Sequence, residues 1–156
     1  DAVRASGLAP FVWRGRVGPP WPTLREMIDA GGRVVMMFEH GPGDPRVPWY
    51  HDAYAVMQET PYHFTRPSEL SCAPNRGLRD ADLFLLNHWI DTSPAPRPSN
   101  AAKINVRRVL LRRARRCERV RGLMPNVIAV DFYRTGDLLA VVDELNGVGA
   151  PRARGR

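Results

Sequence analysis

Apolar residues in this chain gather into short continuous runs, and each run stops at a polar side chain. The clearest is residues 126–133, NVIAVDFY, where Val and Ile dominate and Asp131 arrives as the run ends. A short run of that composition bounded by turn signals predicts a fully buried strand. Thr135-Gly136-Asp137 then opens LLAVVDELNG, in which Leu138, Leu139, Val141, Val142 and Leu145 recur at helical spacing and Asn146-Gly147 is a C-terminal stop. The stretch is one β/α unit.

The pattern occurs twice earlier. Residues 33–40, RVVMMFEH, are apolar from Val34 to Phe38 and tipped by Glu39-His40, and residues 82–90, DLFLLNHWI, bring Asn87 and His88 to their end. Both predict buried strands. Residues 1–15 supply at most one helical turn, with partner elements lying outside the chain. Thr23 as N-cap and Glu26 three residues later form a capping box for a helix over 24–30. Residues 41–50 form a Gly/Pro-rich loop, 51–58 a helical turn or two, and 59–64 a short strand. Residues 67–82 are irregular, with a turn at Asn75-Arg76-Gly77. After the rigid SPAPRPSN loop, Asn100 is the natural N-cap of the longest helix, 101–121, which Gly122 stops. Its inner face carries Val106, Val109, Leu110, Ala114, Cys117 and Val120, and Arg107, Arg108, Arg112, Arg115, Arg116 and Arg119 cover the outer side. Residues 149–156 read as a disordered basic tail.

Three buried strands with polar tips, the last two separated by a helix, imply a mostly parallel α/β arrangement. A strand-end carboxylate such as Asp131 then lies on the catalytic face of a (β/α) barrel, or merely caps the following loop. With 156 residues the chain is too short for a whole barrel, which takes about 250, so half of one is the expected architecture. A small doubly wound sheet is the alternative, but no Gly-x-Gly-x-x-Gly or phosphate-loop motif follows a strand.

Composition changes this picture little. The net charge of +7 suits an anionic partner, yet Lys103 is the only lysine among 23 basic residues and the arginines are not interleaved with aromatics, so no nucleic acid is expected. No apolar run approaches membrane-spanning length. The chain opens at Asp1 with neither an initiating Met nor a leader, which implies an earlier segment removed by processing or truncation. Cys72 and Cys117 fit no metal-binding spacing; they form one disulfide in an exported protein or remain two unrelated thiols.

In order along the chain, WPTLREMIDAGGRVVMMFEHG, SCAPNRG, DLFLLNHWI and PNVIAVDFYRTGDLLAVVDELNG resemble the bacterial phosphatidylinositol-specific phospholipase C-like phosphodiesterases. The resemblance covers nearly the whole chain and corresponds to the carboxyl-terminal half of that family's TIM barrel, roughly its last four strands, over residues 1–148. It implies phosphodiester cleavage by one histidine as general base and another as general acid, both from the family's first half, with Asp131 matching the aspartate that orients the base. Glu39 stands near the family's sugar-contacting arginine, a reversal of charge. Glu59 and Tyr62 lie near its acid and stacking tyrosine, and Asn87, His88 and Tyr133 are placed as further substrate-binding residues. His40 and His88 are expected at the rim or pocket, His51 and His63 on the surface, and Trp49, Tyr50 and Trp89 at a lipid or sugar edge. The family is largely extracytoplasmic, so the resemblance also implies secretion, a phospholipid or other phosphodiester substrate at a peripheral membrane surface, and a Cys72–Cys117 disulfide. No cofactor is implied, and Glu39, Glu59 and Asp131 are too scattered to commit to calcium. Lacking the two histidines, the isolated chain is expected to be inactive. The alternatives are an arginine-rich module for anionic ligands, or a catalytically silent barrel remnant.

Overall fold

The computed structural model describes residues 2–15, 21–39, 41, 44 and 46–148. His40 and the tail at 149–156 lie outside them. The chain divides into two compact units, one from the described residues of Asp1–Gln58 with Gly77–Asp82, the other from those of Glu59–Arg76 with Leu83–Arg156.

In the first unit a single turn, α1 (Ala2–Ala5), and a 3-10 turn (Ala9–Phe11) lead to Val12. The opening segment is not partnerless, as its short apolar end suggested: Val12 is buried and bridges Val34 in parallel, and the Trp13 amide donates to the Val34 carbonyl at 2.8 Å. Helix α2 (Leu24–Asp29) starts where the capping box requires, with both reciprocal Thr23–Glu26 bonds formed. The strand expected over 33–40 is only β1 (Met36–Phe38), and it is half-buried rather than enclosed. Residues 50–58, expected as loop and helix, hold β2 (Tyr50–Asp52), one helical turn α3 (Ala53–Val56) and the start of β3 (Met57–Glu59). β2 pairs in parallel with β1, Met36 opposite Tyr50 and Phe38 opposite Asp52. Only the middle residue of β2 is buried, so a three-residue strand leaves no apolar run to read. The strand predicted over 59–64 is thus displaced toward the N-terminus.

In the sheet ordered β3-β4-β5, the second unit supplies the last residue of β3, Glu59, together with β4 (Leu83–His88) and β5 (Val127–Val130). β4 and β5 are parallel, from Leu85 opposite Val127 to His88 opposite Val130. β4 is enclosed, with Phe84, Leu86 and His88 fully buried. β5, expected to be fully buried, is not: Val127 is 45% exposed and its other residues are intermediate, because among the described residues no strand covers its outer edge. Neither sheet closes into a barrel.

The long helix is two. α4 (Pro98–Ile104) begins with Pro98 in its first turn after Arg97, so Asn100 is inside the helix rather than its cap. Val106 is extended (ψ 141°), and α5 (Arg107–Arg121) then runs to Gly122, whose φ of 70° closes it. α5 buries Leu110, Ala114 and Cys117 as its spacing predicts, but Val120 is 62% exposed and Arg113 points inward. Helix α6 (Leu138–Leu145) lays Leu138 and Val141 on Leu110.

Cys72 and Cys117 are joined, with Cα atoms 5.0 Å apart, inside the cluster of Phe84, Leu86 and Ala114. The crosslink closes a separation of 45 residues. In the chain-entropy account such a loop is worth about 4 kcal/mol. Reduction, or a paired C72A/C117A substitution, should therefore lower unfolding stability by about 3–4 kcal/mol in a denaturant titration; an unmoved midpoint would show that the bond constrains nothing in the unfolded chain.

Candidate active-site face

Because β4 and β5 are parallel and in register, the residues that follow them emerge side by side. Trp89, Ile90 and Asp91 continue from β4, and Asp131 follows Val130 directly. They line one cleft of about 560 Å³, together with Thr65, Thr92 and the Pro94–Pro96 stretch. Asp91 is fixed on three sides: its amide donates to the Phe64 carbonyl (2.7 Å), Oδ1 accepts from the Trp89 indole (3.1 Å), and Oδ2 meets His63 Nδ1 (3.1 Å).

Asp131 is held by its backbone. The Asn105 side-chain amide donates to the carbonyls of Asp131 (3.0 Å) and Thr135 (3.2 Å), while the Asp137 amide donates to the Asn105 carbonyl (2.9 Å). Phe132 sits at φ 50°, left-handed and costly for an aromatic residue, immediately after the acid. Gly136 (φ 88°) passes so close to Asn105 that a Cβ there would lie 2.7 Å from its carbonyl oxygen. The break between α4 and α5 thus places the residue that fixes the Asp131 loop. Burial, and secondly the charge of Asp91, hold the Asp131 carboxyl above its ordinary range.

Two buried polar clusters support this face. Glu59, fully buried at the end of β3, accepts from Arg76 Nε (2.5 Å) and Nη2 (3.2 Å), from Asn75 Nδ2 (2.7 Å) and from Asn87 Nδ2 (3.1 Å). The Arg76 guanidinium lies over the Tyr62 ring at 4.7 Å. Three residues picked from sequence, Glu59, Tyr62 and Asn87, are therefore brought together, and Arg76 links them. In the second cluster Arg113 reaches from α5 to the carbonyls of Asn87 (2.5 Å) and Ser71 (2.8 Å) and to His88 Nδ1 (3.0 Å). Since an arginine only donates, Nδ1 accepts, and His88 Nε2–H donates to the Ile104 carbonyl (3.1 Å). His88 is therefore not a rim residue but a core one, its pKa pushed down to about 4 chiefly by burial.

A profile of the family described as PI-PLC X 1 matches residues 1–146. This chain belongs to the PI-PLC X family. Among curated PI-PLC X relatives, a PI-PLC X domain-containing protein 1 of Arthroderma benhamiae is 27% identical over 138 residues, covering 82% of this chain and 45% of that protein. A protein of the same organism named Uncharacterized secreted protein is 25% identical over 174 aligned positions, 94% of this chain and 38% of its own length. The chain thus spans less than half the length of these relatives. No solved structure matches it.

Relative to this PI-PLC X face, the remaining predicted residues scatter. Glu39 lies in the first unit, where the Tyr54 hydroxyl donates to its Oε1 (3.4 Å). Tyr133 is 54% exposed beneath the Arg134 guanidinium. His63 is exposed as expected, but His51 is not: it is 4% exposed, its ring 5.3 Å from that of Trp13 and 6.0 Å from that of Trp21, because the alternation of β2 turns it inward. Among the described residues no three His, Cys, Asp or Glu side chains converge as a metal site. Asp91, Asn105, Arg76 and Arg113 escaped sequence reasoning; for Asp91 a signal was present, an acid just past the end of an apolar run.

The low pKa of His88 has a measurable consequence. Between pH 6.5 and about 4 the unfolded chain binds a proton that folded His88 refuses. Stability present above pH 6.5 is thus lost as pH falls toward 4, by roughly 3 kcal/mol from this residue. His51, also lowered by burial, acts in the same direction. Chemical denaturation across this range should give a shallower pH dependence for H88Q than for the parent; parallel curves would refute a neutral buried His88.

Proposed function

We propose that this chain forms the Asp131-bearing part of the active-site face of a phosphoric diester hydrolase of the phospholipase C type. One observation carries the reading: in a PI-PLC X chain, a half-buried carboxylate stands at the carboxyl end of a parallel strand and opens onto a cleft. On this reading the sheet β3-β4-β5 is a segment of a larger barrel.

Asp131 accepts the Nδ1–H of a catalytic imidazole. That bond fixes Nε2 as the base and stabilises the imidazolium that forms as Nε2 takes the proton of the attacking hydroxyl. The oxygen–phosphorus bond forms, the ester P–O bond breaks, and a second histidine delivers a proton to the departing oxygen. The raised pKa of Asp131 belongs to the face without that imidazole, since a cation at the carboxylate favours its ionised form. Among the described residues His51 and His88 are buried and His63 is engaged by Asp91, so this reading assigns none of the three to the acid/base pair. An exported location accompanies the reading, supported by the Cys72–Cys117 bond and by a relative named as secreted.

The 156-residue chain should show no turnover above background on phosphatidylinositol or a chromogenic phosphodiester. A longer chain that supplies the two histidines should turn over, and D131N should lower its kcat about ten-thousandfold, the scale seen when a triad aspartate is replaced. Turnover that D131N leaves unchanged would overturn the assignment.

A further inference from the structure

The positive charge of this chain is concentrated on one segment. Residues 97–121 hold ten of the 23 basic side chains and a single acid, Glu118, so a stretch of +9 lies in a chain of +7 whose remainder is net negative. Within it, Arg108, Arg112, Arg115, Arg116 and Arg119 fall on about a third of the circumference of α5, opposite the buried Leu110, Ala114 and Cys117. The row runs about 16 Å along the helix. Arg115 is paired with Glu118 at 3.0 Å. Arg108, Arg112, Arg116 and Arg119 are exposed, and their guanidinium groups have no ion pair or hydrogen bond among the described residues. A merely solvated helix face mixes both signs. Here Arg108–Arg112, Arg112–Arg116 and Arg115–Arg119 stand four residues apart, a like-charge spacing that disfavours the helix carrying it. The crowding reaches inward as well: burial, and secondly the charge of Arg116, push Arg113 down to about 10.

We propose that the arginine row of α5 is a docking surface for an anionic phospholipid bilayer. Charge complementarity selects an anionic partner, and the residue type selects phosphate, because the planar guanidinium fork pairs with phosphate oxygens two at a time where a lysine would act as a point charge. The row carries no aromatic ring on which a nucleobase could stack. Val120, 62% exposed, adds an apolar contact at its far end. Its near end adjoins the candidate face: the amide of Arg107, the residue before Arg108, donates to Asp137 Oδ2 (2.7 Å), in the loop that follows Asp131. Docking through α5 thus brings the bilayer beside that face without occupying the cleft. The choice of a bilayer among polyanions rests on the proposed hydrolase, whose phospholipase-type substrate resides there.

Vesicle co-sedimentation of the disulfide-intact 156-residue chain tests the proposal without turnover. The chain should bind vesicles of equimolar phosphatidylglycerol and phosphatidylcholine, at least about tenfold more tightly than pure phosphatidylcholine, and high salt should weaken that binding at least about tenfold. Replacing all four unpaired arginines, R108Q/R112Q/R116Q/R119Q, should weaken it at least about a hundredfold. The control R14Q/R25Q/R33Q/R79Q removes the same charge from exposed positions of the first unit and should change binding less than about threefold. Should the fourfold α5 variant misfold, R108Q/R112Q and R116Q/R119Q decide, each expected to lose at least about tenfold. Absence of binding, equal binding to pure phosphatidylcholine, indifference to salt, a control that loses as much as the α5 variant, or tighter binding to duplex DNA than to vesicles overturns the proposal. Vesicle binding that needs the arginine row, in a protein whose longer chain hydrolyses no phosphodiester, would refute the hydrolase and leave the docking surface standing. Hydrolysis dependent on Asp131, with vesicle binding indifferent to the row, would do the reverse.

Discussion

The parallel register of β4 on β5 is the constraint from which the candidate site follows. With His88 opposite Val130, the next residues leave the sheet together, and the two acids that end these segments face one cleft. A slip of one residue would turn every side chain of β5 to the other face. It would also move Asp131 relative to Trp89 and Asp91. What the register cannot do is stop the chain after β5 from fraying. That falls to Asn105, whose side chain holds two carbonyls of the loop and whose own carbonyl receives the Asp137 amide.

Polar groups buried behind the face serve the same end. Arg113 crosses from α5 to the end of β4, and its contacts fix the tautomer of His88, whose other nitrogen grips the last carbonyl of α4. Sheet, helix and helix break are thereby tied at one point. Glu59 does comparable work at the end of β3, where a carboxylate with no exposure is stable only because Arg76, Asn75 and Asn87 all donate to it. Removing one partner from such a cluster costs more than the cluster itself contributes. The Cys72–Cys117 bond then locks the segment before β4 to α5 through the apolar side of the unit.

Much of this was legible in the chain. The Thr23–Glu26 capping box, the enclosed run of β4, the Gly122 stop and helix α6 follow from local chemistry that the fold leaves intact. The acid after β5 was visible as the end of an apolar run, and the pairing of the cysteines came through family resemblance. The break between α4 and α5 was hidden because Val106, Val109 and Leu110 keep helical spacing across it while Asn105 looks like any helical asparagine. Arg113 was lost among neighbouring arginines, since periodicity assigns charged residues to the outside and only tertiary contacts reverse that. β2 buries one residue of three and carries no periodic signal at all.

The claim that two strand-end carboxylates share one cleft is tested most directly by carboxyl-detected NMR titration of Asp131, in the parent chain and in D91N. A pKa above the ordinary aspartate range is predicted for the parent, because burial and then the neighbouring charge both disfavour the ionised form. In D91N it should move down toward the ordinary value without reaching it, since burial is the larger cause. An ordinary pKa in the parent, or one that D91N leaves unmoved, would contradict the account by showing that the two acids do not sense each other.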